Sequence, residues 1–114
     1  NWWVRRYAVT SLGKIGSETA IPALLKALED FDWSVRGKAA EALGKIGSEK
    51  AIPGLIKALE DSDENVREYA VTSLGKIGSE KAISGLIKAL KDSDWYVRGK
   101  ASEALRKLDN YSLP

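Results

Sequence analysis

The sequence predicts an all-α fold, a right-handed α-solenoid of 31-residue helix-turn-helix repeats, and three observations carry that prediction. Val-Arg recurs in steps of 31 at Val4-Arg5, Val35-Arg36, Val66-Arg67 and Val97-Arg98. Leu-Gly-Lys-Ile-Gly-Ser-Glu recurs at residues 12–18, 43–49 and 74–80. Between these marks the apolar residues fall at helical spacing. A fixed period of this length signals a solenoid, because one helical hairpin cannot bury its apolar face alone and stacked copies share a continuous core.

The elements follow in order. A partial repeat over 1–16 supplies one second-type helix, three full repeats span 17–47, 48–78 and 79–109, and 110–114 form a tail, all within a single domain at 1–114. In the repeat 48–78, Ser48 is a good N-cap, and Ala51, Ile52, Leu55, Ile56 and Leu59 mark a first helix of about three turns. Pro53 sits one turn in, where it is expected to bend or tighten the start of that helix. After the turn Asp61-Ser62-Asp63, Asp63 caps a second helix whose buried stripe is Val66, Ala70, Leu74 and Ile77, and Gly78 ends it. The chain therefore holds seven helices, four of the second type and three of the first. The fourth copy departs from the others at Arg106, Leu108 and Asn110 to Ser112, as a terminal cap would.

Pro22, Asp30, Val35 and Arg36, repeated as Pro53, Asp61, Val66 and Arg67, carry a resemblance to the HEAT family. The likeness is to the short HEAT-like repeats of phycobilisome lyases and of the designed alphaRep scaffold. The third copy has Ser84 for Pro but keeps Asp92, Val97 and Arg98. The resemblance implies a structural ladder in which Asp30, Asp61 and Asp92 meet Arg36, Arg67 and Arg98 or a neighbouring repeat's Arg. Arg5 is expected to lack its Asp, which would lie upstream of Asn1, and this suggests a piece of a longer array.

The same resemblance implies that the second helices line the concave, binding side. Carried onto this chain, the candidate partner-binding face is Trp2, Trp3, Arg6, Tyr7, Trp33, Lys38, Glu41, Tyr69, Trp95, Tyr96 and Lys100. Every Trp of the chain falls there, and Trp and Tyr are the residues enriched at interface hot spots. Against this stands a purely structural reading, in which first-turn Trp side chains cover the repeat joints and the charges form solvated i,i+4 pairs such as Glu41 with Lys45 and Glu103 with Lys107. The second helices also alternate, the first resembling the third and the second the fourth, so the surface carries a 62-residue super-period.

Composition narrows the chemistry. The 114 residues include no His and no Cys, which removes a Ser-His-Asp triad, His-based zinc or di-iron sites, and thiolate metal sites, so no enzyme activity, catalytic residue, metal or cofactor is expected. Asp61-Ser62-Asp63-Glu64-Asn65 mimics the opening of a calcium loop but has Val66 where glycine is required and Thr72 where the closing Glu belongs. A net charge of +2, from 18 basic and 16 acidic residues, disfavours nucleic acid, and no apolar run reaches membrane length, which fits a soluble cytoplasmic chain. The function expected is a scaffold that binds a protein or peptide as part of a larger chain. The alternatives are a phycobilin lyase or chromophore-handling subunit, implied by the resemblance, and a nucleic-acid-binding HEAT-like module.

Overall fold

The computed structural model describes residues 1–112, with side chains through Asp109. In chain order the α-helices are α1 (Trp2–Ile15), α2 (Ile21–Ala27), α3 (Trp33–Ile46), α4 (Ile52–Ala58), α5 (Glu64–Ile77), α6 (Ile83–Ala89) and α7 (Trp95–Ser112). Among the described residues there is no strand. The long helices α1, α3, α5 and α7 pack side by side in that order, and each short helix packs on the long one that follows it. The molecule measures 45 × 30 × 17 Å, about two helices thick. This is the α-solenoid of helical hairpins that the repeats predict.

The long helices start and stop where their residues dictate. Asp32 and Asp63 adopt extended backbone and accept from the N–H groups of Ser34 and Asn65, satisfying donors that a helix start leaves orphaned. Gly16, Gly47 and Gly78 close α1, α3 and α5 with φ of 71°, 76° and 70°, in the left-handed region where a Cβ is strained. Asp109 occupies the corresponding place in α7, and without a glycine the helix runs on to Ser112. The helix thus passes the repeat end expected at 109; the cap chemistry expected of the tail 110–114 lies outside the described side chains.

The first-type helices differ from expectation. Instead of one element of about three turns, each is a 3₁₀ turn (Glu18–Ala20, Glu49–Ala51, Glu80–Ala82) followed by a seven-residue α-helix. Proline is not the cause, because Ser84 replaces it in the third copy and the break is the same. What the three copies share is the serine before the turn. Ser17, Ser48 and Ser79 each accept from the N–H two residues on, and their carbonyls take the N–H of Ala20, Ala51 and Ala82. That i→i+3 bond fixes the tighter winding.

Leu24, Leu43, Leu55, Leu74 and Leu86 are fully buried, with Val35, Val66, Val71 and Val97. Val66, Ala70 and Leu74 of the stripe read from sequence are buried and Ile77 is only partly so, while Val71 and Ser73 of α5 are buried too. An inner long helix is flanked by two long neighbours and a short one, so more than one stripe leaves water. The seams are close. A Cβ on Gly13 would lie 2.6 Å from the Ala42 Cβ, and one on Gly44 would lie 2.9 Å from the Ser73 Cα. At the second seam the buried Ser73 hydroxyl donates to the Ala40 carbonyl across the interface, at 2.6 Å.

Candidate functional site

The candidate residues all lie on the long helices: Trp2, Trp3, Arg6 and Tyr7 on α1, Trp33, Lys38 and Glu41 on α3, Tyr69 on α5, and Trp95, Tyr96 and Lys100 on α7. Because Asn1, Asp32 and Asp94 accept from first-turn N–H groups, the tryptophans beside them are held at the helix starts. Trp2, Trp3 and Trp33 are about half exposed, while Trp95 and Tyr7 are each 72% exposed. Surfaces of this kind offer large rigid contact area at low entropic cost.

The structure brings some of these side chains together and leaves others apart. Trp95 and Tyr96 meet edge to face with centroids 5.6 Å apart. Lys100 Nζ sits 5.5 Å over the Tyr96 ring and Lys38 Nζ 5.9 Å over the Tyr69 ring. Glu41 pairs with Lys38 at 3.3 Å, one turn back, and Lys107 with Glu103 at 3.8 Å. Among the described residues no ring contact joins Trp2, Trp3 and Trp33. Tyr69 is partly buried, its ring lying over Gly37 of α3, so it serves the seam and offers less free surface than Tyr7.

Alongside the face, the Asp and Arg side chains form a directional chain of contacts. Arg5 donates to Asp30, Arg36 to Asp61 and Arg67 to Asp92, with Nε–Oδ2 distances of 2.8, 2.9 and 2.9 Å and a second bond from Nη2 to Oδ1 in each case. Each arginine thus grips the carboxylate of the following repeat. Arg36, Arg67 and Arg98 also donate from Nη1 to the carbonyls of Asp30, Asp61 and Asp92 in their own loops. Arg5, expected to lack an Asp, has one: its partner lies downstream, not upstream. The carboxylates do a second task, since Asp30, Asp61 and Asp92 each accept from the N–H two residues on and so fold their own loops.

These contacts shift proton affinities. The hydrogen bond from Arg5 holds the Asp30 carboxyl below the usual carboxylate range. The Ser34 hydroxyl does the same for Asp32, and Lys81 for Glu49. Glu68 moves the other way, raised by burial against a partial offset from Lys100. Among the described residues no group of three or more Asp, Glu, His or Cys is placed to hold a metal ion. No helix there is long and apolar enough to cross a membrane.

Sequence reasoning missed the opposite, short-helix layer. Between α2 and α4 lies a groove of about 550 Å³, floored by Leu25, Leu28 and Pro53 and rimmed by Glu29, Lys50 and Lys57. Exposed ion pairs run along this side from repeat to repeat, Lys50 to Glu18 at 3.2 Å and Lys81 to Glu49 at 3.1 Å. The signal was the glycine at Gly54 and Gly85, where a Cβ would stand 2.6 Å from a Leu25 methyl and 3.2 Å from a Leu59 methyl of the preceding short helix.

Comparison with known proteins gives the same architecture. Human deoxyhypusine hydroxylase superposes with a TM-score of 0.81 at 27% identity, over 90% of this chain and 36% of that one. The complex of CpcE and CpcF of phycocyanin lyase from Nostoc sp. superposes with a TM-score of 0.65 at 28% identity, over 96% of this chain and 61% of that one. An engineered protein matches with a TM-score of 0.65 at 26% identity, over 90% and 55%. The chain therefore spans between about one third and three fifths of the length of these structures. No curated protein matches it. The HEAT-repeat family model matches residues 1–61 and again 52–113, and the chain belongs to that family of HEAT repeats.

Proposed function

We propose that this protein is a scaffold that binds a protein or peptide through its long-helix face, the side that HEAT-like relatives present as concave. The observation that carries the reading is the row of exposed aromatic side chains at the starts of the long helices, Trp2, Trp3, Trp33, Trp95 and Tyr96, with Tyr7 one turn further along α1. HEAT repeats generally mediate protein interactions, and a sequence with neither His nor Cys supports binding more readily than catalysis. Lys38, Glu41, Arg6 and Lys100 give the face a mixed polar rim, which suits a polypeptide better than a phosphate backbone. A functional unit larger than residues 1–114 is part of the same proposal.

A peptide library displayed on phage and selected against the immobilised protein tests this. Selected peptides should lose about thirtyfold in affinity, on the order of 2 kcal/mol, on Trp33→Ala. Binding that survives Trp33→Ala and Trp3→Ala, yet is lost on Lys57→Ala with Lys88→Ala, would place the working surface on the short-helix layer instead.

A further inference from the structure

Phe31 is the one phenylalanine of the chain, and it stands where the sister loops carry Ser62 and Ser93. It is 99% exposed, although both neighbours of its loop are in place: Arg5 of α1 closes on Asp30 from one side, and the loop 61–63 follows on the other. The backbone beneath the ring is fixed. The Asp32 N–H donates to the Asp30 carboxylate, and Arg36 Nη1 donates to the Phe31 carbonyl at 3.0 Å, whereas Arg67 and Arg98 reach only the carbonyls of Asp61 and Asp92. A ring left in water forfeits its burial, and one held on a rigid loop loses little entropy when something covers it.

Two residues before Phe31, Glu29 belongs to the rim of the groove between α2 and α4, whose floor is Leu25, Leu28 and Pro53. Both walls of this groove are inside the array. Asp61, which also borders it, is held by Arg36. The remaining rim charges are two acids, Glu29 and Glu60, and two bases, Lys50 and Lys57. Glu29 and Lys57 meet only at 4.0 Å, with side chains 72% and 82% exposed, so each is open to a second partner.

We infer that Phe31 anchors a two-fold contact between two copies of this chain, each ring entering the other copy's groove between α2 and α4. A two-fold contact requires a patch that is its own complement. Phe31 follows Glu29 by two residues, so ring and groove lie side by side, and an axis between them sets each ring over the opposite groove. The groove, about 550 Å³, has room for a phenyl ring on an apolar floor. The rim fits itself as well, since Glu29 of one copy meets Lys57 of the other, while a rim of balanced charge gives an acidic or a basic peptide no preference. The contact uses the short-helix layer and stands apart from the long-helix face proposed above.

Sedimentation equilibrium of the protein alone tests this. The mass should rise from 12.4 kDa toward twice that value with concentration, with a dissociation constant on the order of 100 µM, since the patch is smaller than a standard interface. The amide signals of Leu25, Gly54 and Ala58 in ¹⁵N-labelled protein should shift over the same range. Phe31→Ser should weaken the association by about tenfold or more and leave the melting temperature unchanged or higher, because serine already fills this place in the sister loops. Glu29→Lys should weaken it about threefold, and Glu29→Lys combined with Lys57→Glu should restore it. A wild type that stays monomeric up to about 1 mM overturns the inference, as does association that Phe31→Ser leaves unchanged. So do concentration-dependent shifts confined to the long helices, or a charge swap that fails to restore what Glu29→Lys removes. A monomeric protein whose phage-selected peptides require Phe31 would assign the ring to another polypeptide and overturn the second copy as its occupant.

Discussion

The guanidinium of Arg36 reaches forward 25 residues to the Asp61 carboxylate, at 2.9 and 3.2 Å, while its third nitrogen holds the carbonyls of Asp30 and Phe31 behind it. One side chain thus ties its own loop to the next. The arrangement is planar and two-pronged, which suits arginine and would not suit lysine.

Arg67 is in the same position and is mostly covered, with its side chain 14% exposed. Arg67→Ala should destabilise by roughly 2–3 kcal/mol, because it strands the Asp92 carboxylate and the Asp61 carbonyl. Arg5 is 44% exposed, and its contact with Asp30 is screened by solvent. Arg5→Ala should therefore cost clearly less. Urea denaturation of both variants decides it, and equal losses would mean that the arginine stems, not their head groups, carry the effect.

Acid should weaken the same chain of contacts. Asp30 has a folded-state pKa below its unfolded value, so the unfolded chain binds the proton more readily. The stability it contributes is complete above the unfolded value of about 4 and is lost as pH falls through the lower, folded value. Asp30→Asn should be less stable at pH 7 and should show a flatter decline of stability as the pH falls below about 4. An unchanged acid slope would sink the assignment.

Two glycines inside long helices, Gly44 of α3 and Gly99 of α7, should respond in opposite ways to alanine. At Gly44 the new methyl would be driven into Ser73 backbone, so Gly44→Ala should cost about 1–3 kcal/mol by forcing α3 and α5 apart. Gly99 has open space, so Gly99→Ala should gain about 0.5–1 kcal/mol. Thermal melts of the two variants shifting in the same direction would contradict the packing described for the seams.

Gly47 ends α3 at φ 76°. Gly47→Val should destabilise by roughly 1–2 kcal/mol, since a β-branched residue is strained in the left-handed region. No change in the melting point would mean that the helix can end without that conformation.

Much of this was readable from the letters. The period gave the stacking, Asp63 a helix start and Gly78 a stop, because each is a local rule about backbone donors and dihedrals, and the repeat carries both to Asp32 and to Gly16 and Gly47. The direction of the Arg chain was not readable. An arginine can reach back to its own loop or forward to the next, and only the spacing of stacked hairpins decides between them. Pro53 was expected only to bend or tighten the start of a continuous first helix, whereas a serine-based turn, present also where Ser84 replaces proline, sets a 3₁₀ start in every copy. The burial of Tyr69 was not readable either, because it depends on Gly37 in a different repeat, which no single-helix pattern contains.

The forward grip of each arginine has a mechanical consequence. Every hairpin is oriented against its predecessor through one carboxylate that also shapes its own loop, so the angle between neighbours is set joint by joint. A slight rotation at one joint is inherited by everything beyond it and grows with distance along the 45 Å axis. The curvature of the array is thus the sum of its joints, each held by one Arg–Asp contact together with the close seam between its long helices.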